Sequence, residues 1–468
     1  MASRGTVVGF HPFETYAGHP GKDGANFDYV EQVALVEADG GVVPRPHNLV
    51  DLCRSDAVAR EALSGVDVVM TTVGPHAYFY FYLRERLGLD FRIVRDVRTA
   101  LWNGYLQQES LCASYLRADD MLLHASRYSM GVFNTVLPHL APKPQAVCYP
   151  ILHSLPPEAE GSWVGSGRSA ASTTRPRRIG FVGRLTDDKN YGQALALLDE
   201  LRRRWPGRYE LHAVGERPPG VPGPSSDTTD YRWFPPVDRS ALWAMFREMD
   251  VLFFPSTSSL ETFGRVLVEA SYVGTPILSS SHAATSELLP QTSLVDTAYR
   301  TDLEFTTHLA GRLGDVDVER AADLLGAGEA PPRATGYQVF RGHDRYLTDL
   351  LRRGPEAVAT DAQVEPTPLQ RDFLASVQMS NLSTSFDREA ADDIIARLRS
   401  HFVALHRRGS LRYFATLATL LARSRYRAKT RDFVRRSLVR GEDFTNIGGI
   451  DLQFSHLIGY EPRFRIKA

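Results

Sequence analysis

Two cations and two carboxylates stand out for the company they keep. Arg184 and Lys189 occur in "GFVGRLTDDKN", where an apolar run ends at Gly183 and a helical pattern begins near Asn190. A helix opens with unsatisfied amide donors, a glycine lets backbone approach closely, a guanidinium offers a fork and an ammonium a point charge. Together these make a place where an anion can sit. The same residues would also suit an ordinary strand-to-helix loop with solvated charges, which are common and contribute little.

Glu261 and Glu269 occur in "SSLETFGRVLVEASYVGTP". Glu261 follows "DVLFFPS", a fully buried strand by composition, and open parallel sheets bind ligands at the carboxyl ends of their strands. Gly264 sits near the start of a helix that Gly274-Thr-Pro276 stops, so amides of residues 263–265, Phe263 included, can bond anionic oxygens. Glu269 shares its helix with Val266, Leu267, Val268, Ala270 and Val273, which leaves few wet faces. Its carboxylate either pairs with Arg265 one turn earlier, worth ~0.2–0.5 kcal/mol in the less favourable order, or faces a cleft and accepts hydrogen bonds from a bound diol.

Elements must hold these four residues together, and the chain is long enough to supply them. It has 468 residues, a 43% hydrophobic fraction and a formal net charge of −1. That length predicts two or three domains, and the neutral balance excludes an electrostatic nucleic-acid binder. No run approaches the ~18–20 apolar residues of a spanning helix. Cys53, Cys112 and Cys148 form no CxxC pair, which argues against a disulfide framework or zinc knuckle and fits a cytoplasmic protein.

Short apolar runs at 6–10, 66–74, 91–97, 120–126 and 146–151 read as buried parallel strands with crossover helices, giving a first α/β domain over 1–153. Residues 154–176, rich in Ser, Gly and Pro, read as a linker. A second βαβ series has strands at 177–183, 209–215, 250–256 and 275–280, with helices at 192–204 and 239–248. It continues through helices expected at 302–313 and 317–325, giving a domain over 177–352. Two doubly wound, Rossmann-like domains joined this way face a cleft, the usual ligand site. A helical, basic extension fills 353–468. Between 371 and 440, 14 arginines and one lysine meet six carboxylates, a surplus of nine positive charges. Those helices either pack on the domains with arginines in solvent or dock on an anionic membrane surface, a partner chain or an acidic carrier.

The strand with "GRLTDDKN", then "DVLFFPSTSSLETFGRVLVEA", then "GTPILSSSHAATSELLP", in that order, resembles the second domain of GT-B glycosyltransferases, in particular the retaining family numbered 4. The resemblance implies a nucleoside-diphosphate sugar as substrate, a UDP- or GDP-sugar, and no cofactor. It implies Arg184 and Lys189 on the diphosphate, with Gly183 and Asn190 in the same turn, and Glu261 on the sugar hydroxyls. Phe263 and Gly264 would support sugar or phosphate through their amides, and Glu269 would hold the ribose. "YRWFPPV", with Phe234, falls where the family runs a loop past the base. His76, closing the strand "VVMTTVGP", is the first-domain residue placed against the donor sugar, although a strand-end histidine is by default a polar loop residue.

Departures are visible too. The loop after the first strand carries Gly18, Gly21 and Gly24 but no Gly-Gly pair, and the family's second histidine is replaced by "IVRDVRT", offering Arg95, Asp96 and Arg98. Ser126 reads as a helix cap, and the aromatic run Tyr78 to Tyr82 as a core helix. The only DxD, Asp315-Val-Asp317, lies between two helical patterns, and no metal is expected. The implied reaction is sugar transfer with retention to a hydroxyl or amine of a small, lipid-linked or polymeric acceptor. A chain that binds the nucleotide sugar without transfer, as a partner or regulator, is the alternative. A dinucleotide oxidoreductase fails because no GxGxxG follows the first strand.

Overall fold

The computed structural model describes residues 6–10, 24–44, 47–71, 76–97, 104–150, 155–165, 175–221, 229–301, 304–306, 311–326, 343–355, 365–380, 385–423, 427–440, 457–458 and 463–467. Gly18, Gly21 and Arg98 lie outside these, and so do residues 11–23 of the first glycine-containing loop.

The first sheet is parallel, with β1 (Val8–Phe10), β2 (Val68–Thr71), β3 (Arg92–Val97), β4 (Met121–His124) and β5 (Gln145–Val147) side by side in that order. A parallel bridge from Val42 to Val7 adds to the outer side of β1, so the winding reverses at β1. The second sheet runs β11-β10-β9-β6-β7-β8, all parallel, from β6 (Arg177–Val182), β7 (Tyr209–Val214), β8 (Tyr231–Phe234), β9 (Val251–Phe254), β10 (Ile277–Ser280) and β11 (Leu294–Val295). That is the doubly wound Rossmann order, with its switch point between β6 and β9. Strands β2 and β9 are apolar on both faces because helices cover both sides.

Four expectations change. β8 was expected as a loop, but it forms the sheet edge, where Tyr231 and Phe234 are part-buried and Arg232 and Trp233 exposed. The described residues of 302–313 are not helical: Glu304–Thr306 is a strand, β12, and Arg312 forms an isolated bridge to Ser258. The expected linker is partly docked, since Trp163 packs on the second domain and its indole N–H donates to the Met249 carbonyl at 2.8 Å. Asp315 lies in β13 (Gly314–Val316), not between helices, and Arg312 bridges it at 3.3 Å to Asp187 at 3.4 Å in the β6 exit loop.

The C-terminal extension is shared: Gln370 donates to the second-domain Ala283 carbonyl at 2.8 Å, whereas its helix Arg388–Leu405 completes the first domain. Ala391, Ile395, Leu398 and Phe402 of the helix Arg388–Leu405 share one core with the helix Tyr78–Leu87, whose Tyr78 to Tyr82 are all buried. On the other face Leu347, Leu350 and Leu351 of the helix His343–Arg353 pack with Val8, Leu35 and Val94. Among the described residues no helix is long and apolar enough to cross a membrane, and the three cysteines are buried and in no disulfide.

Candidate functional site

At the switch point the loop after β6 meets the loop after β9. Gly183 closes β6 with φ 147°, and Gly215 closes β7 with φ 143°. A Cβ on Gly215 would fall 1.9 Å from the Gly183 carbonyl oxygen, so only glycine lets the two strand ends lie this close. The chain then turns through Asp187–Lys189 into Asn190, which is left-handed at φ 56° and leads into the helix Tyr191–Arg204. Asparagine tolerates this backbone better than most residues.

Three pairs lace the two loops. Lys189 Nζ donates to Glu261 Oε2 at 2.7 Å, with the two side chains 21% and 10% exposed. The Ser258 hydroxyl donates to Asp188 at 3.1 Å. Fully buried Asn190 donates through Nδ2 to the Pro255 carbonyl, Thr257 Oγ1 and the Gly314 carbonyl at 2.9, 2.9 and 3.1 Å. Asn190 therefore positions the turn, and its side chain is spent inside the protein. Arg184 is half-exposed beside Asp188, 3.6 Å away, so its fork stands at the surface of the turn.

Burial pushes the Glu261 carboxyl up, but the Lys189 ammonium and a hydrogen bond from Ser256 at 3.0 Å outweigh it and hold the group below the ordinary carboxylate value. Glu261 is thus an anionic acceptor and a weak base. Behind the loop, burial lowers His282 to about 4. Its Nε2 donates to the Ser258 carbonyl and its Nδ1 accepts from the Tyr299 hydroxyl, both at 3.1 Å, which keeps the ring neutral and braces the turn before Glu261.

Gly264, left-handed at φ 86°, starts the helix Arg265–Val273, and Phe263 beside it is buried. Phe263 packs 5.7 Å from Tyr149, just beyond β5, so its ring belongs to the contact between domains. Glu269 is buried, and its Oε1 accepts from Arg265 at 3.1 Å and Arg239 at 2.8 Å. Glu31, from the first-domain helix Gly24–Ala38, accepts from Arg239 at 2.8 Å and Arg265 at 3.4 Å. The i,i+4 pair expected of Glu269 exists, but inside a neutral four-residue cluster that spans both domains. Phe234 ends β8 at the same edge of the sheet, its ring 5.5 Å from His212.

His76 is placed differently from the rest. It is fully buried in a left-handed backbone, φ 71°, with Nδ1 2.6 Å from the Tyr78 hydroxyl. Phe402 of the C-terminal part covers it at 4.4 Å between ring centres. Arg95 and Asp96 are also internal: Arg95 donates to Glu109 at 2.6 Å, and Asp96 accepts from Gln32 at 3.0 Å. The structure thus joins Lys189 to Glu261 with Arg184 in the same turn, and encloses His76 against Phe402 in the first-domain core. Ser126 caps the helix Arg127–Val136 and also donates to the Thr262 carbonyl at 2.6 Å, tying β4 to the Glu261 loop.

Sequence reasoning missed Glu287. It lies largely enclosed between the domains and accepts from the Arg127 amide at 2.9 Å, the Tyr128 amide at 3.3 Å, the Tyr149 hydroxyl at 2.9 Å and Gln370 at 3.0 Å. The only local signal is an acid in the apolar stretch "ATSELLP", since its partners are remote in sequence. Glu31 and Arg239 were missed for the same reason. Among the described residues no group of three or more His, Cys, Asp or Glu is arranged to hold a metal.

Residues 168–293, from just before β6 to just before β11, match the family model described as Glycosyl transferases group 1. No curated protein matches the sequence. Solved structures similar to this chain include Anabaena HepE in complex with UDP and glucose, at 14% identity and TM-score 0.42, covering 84% of this chain and 98% of that one. Sucrose-phosphate synthase from Thermosynechococcus elongatus is 13% identical at TM-score 0.44, with 79% and 97% covered. A glycosyltransferase from Rickettsia africae is 11% identical at TM-score 0.44, with 80% and 97% covered. At such TM-scores these likenesses add nothing to the architecture, which rests on the chain's own sheet orders.

Proposed function

We propose that this chain, whose residues 168–293 match the family model of the glycosyl transferases group 1, moves a sugar from a nucleoside-diphosphate donor to an acceptor hydroxyl or amine, with retention and without a metal. The observation that carries the reading is the Lys189–Glu261 pair at the β6/β9 switch point, 2.7 Å apart with half-exposed Arg184 beside it. A UDP- or GDP-sugar at these strand ends would lay its diphosphate on Lys189, Arg184 and the amides around Gly264. Its sugar would reach the Glu261 carboxylate, and its ribose the Glu269 end of the cluster.

Charge separation sets the barrier: the glycosyl–oxygen bond breaks, the diphosphate becomes anionic, and the sugar approaches an oxocarbenium ion. Fixed cations that strengthen their hold as that charge develops stabilise the transition state more than the ground state. The departing phosphate oxygen takes the acceptor proton on the same face, so no protein nucleophile is required. Glu261, held anionic below its ordinary pKa, serves as a hydrogen-bond acceptor for sugar hydroxyls and not as the base. The first domain supplies the acceptor side. Buried cysteines outside any disulfide fit a reducing cytosol, and the basic C-terminal helices suit contact with an anionic surface.

One observation favours a second reading, binding without transfer: His76, the first-domain residue expected at the donor sugar, is enclosed beneath Phe402. A panel of UDP- and GDP-sugars with pooled acceptors, read for product and anomeric configuration with and without a chelator, tests both. Chelator-insensitive transfer with retention supports the first reading; tight donor binding without product supports the second. Lys189→Ala should lower kcat/KM by roughly 10²–10³. An unchanged kcat/KM would remove Lys189 from the mechanism.

A further inference from the structure

The first domain carries a second concavity that the donor reading does not use. It lies where the helices Leu49–Arg54, Tyr78–Leu87, Arg388–Leu405 and Leu411–Arg423 converge, and it has a volume of about 520 Å³. Arg54, Arg86, Arg399, Arg407 and Arg412 line it, against one carboxylate among its lining residues, that of Asp56. Val403 and Ala404 add an apolar wall.

Asp56 fixes the geometry. Its Oδ1 accepts from Arg399 Nη2 at 2.6 Å and its Oδ2 from Arg86 Nε at 3.0 Å. Arg399 Nε also donates to the Cys53 carbonyl at 2.6 Å, so this guanidinium is pinned, with its side chain 14% exposed. Arg54 turns to Asp51 at 3.2 Å. Arg407 and Arg412 are exposed, and neither has a carboxylate within ion-pair distance among the described residues.

A solvated helix face gathers its charges along one helix. Here five guanidiniums come from separate stretches of chain and converge on a hollow, where like charges repel and field lines focus. Planar forks of N–H donors match the oxygens of a phosphate two at a time, and the match is better than a lysine cluster would give. We propose that this cleft binds a phosphate-bearing ligand, at a site separate from the donor cleft and sharing no residue with it. A phosphorylated solute and the headgroup of an anionic lipid present the same chemistry.

Titration calorimetry of the full chain with inorganic pyrophosphate tests the site. Pyrophosphate affinity should be retained in Lys189→Ala, which disables the donor cleft, and weakened about tenfold or more in R407E/R412E. It should also fall as salt rises. Because both reversed side chains are exposed, the melting temperature of R407E/R412E should match wild type; R407Q/R412Q repeats the comparison if it does not. Flotation with phosphatidylcholine vesicles containing phosphatidic acid separates the sources. Flotation lost in R407E/R412E assigns the headgroup, whereas pyrophosphate binding without flotation assigns the solute. Identical binding of both probes by wild type and the double variants, or binding of neither, overturns the proposal.

Discussion

Lys189 and Glu261 illustrate how a pair can be both structural and reactive. Burial would raise the Glu261 carboxyl, and the adjacent ammonium reverses the sign, so the folded pKa lies below that of the unfolded chain. Such a group contributes stability that is fully present above the unfolded pKa, about 4.3, and lost as pH falls through the lower folded value. The stability difference between wild type and Glu261→Gln should therefore hold steady at neutral pH and shrink below about pH 4. Urea midpoints at neutral and acid pH check this; a difference that grows on acidification would contradict the pair. The residues of this pair were legible because both loops lie within a few positions of strongly apolar strands. Glu287 and Glu31 were not, because a lone acid acquires meaning only from donors far away in the chain.

Among the elements, the close approach of β6 and β7 sets where the Arg184–Lys189 turn begins. Gly215→Ala would place a methyl group against a backbone oxygen that cannot rotate away. A loss of about 2–4 kcal/mol is expected, with weaker donor binding because the turn shifts with its strand. Thermal melts and a donor titration would show both effects, and a variant with wild-type values would show that the strand ends have room to spare. The helix Arg388–Leu405 makes a similar demand on the first domain. Phe402→Ala would open a cavity over His76 and should cost about 3–5 kcal/mol. A cost near zero in urea unfolding would mean that the helix is only draped on the surface. Strands with uninterrupted apolar runs were readable from sequence, and the helix Arg239–Glu248 falls on its expected residues. β8 was not, because an edge strand with exposed central residues and two following prolines has the composition of a loop. The amphipathic pattern of 388–405 announced a helix, but no local signal could say which domain its apolar face would complete.

At the scale of the molecule, charged and neutral groups share the work of holding two domains together. Glu287 of the second domain takes donors from the first domain and from Gln370 of the C-terminal extension, and the Glu31, Arg239, Arg265 and Glu269 cluster closes a second contact. Buried histidines add a pH dependence of opposite origin to that of Glu261. Burial brings His47, His124 and His282 down to about 4, so they are neutral in the fold while the unfolded chain takes up protons near 6.5. Their contribution is present above pH 6.5 and is lost as pH falls towards 4, by up to about 1.4 kcal/mol per pH unit for each. Denaturant midpoints across that range should decline, and the decline should be shallower in His282→Asn. The return of residues 388–405 to the first domain also bears on how the chain is made. The second domain emerges from the ribosome as one continuous stretch and can fold as it appears. The first has all its strands by residue 147 yet must wait for its last core helix, some 240 residues later. At ordinary elongation rates that is roughly ten to fifty seconds with an uncovered apolar face, long enough for a chaperone to be the first thing that binds it.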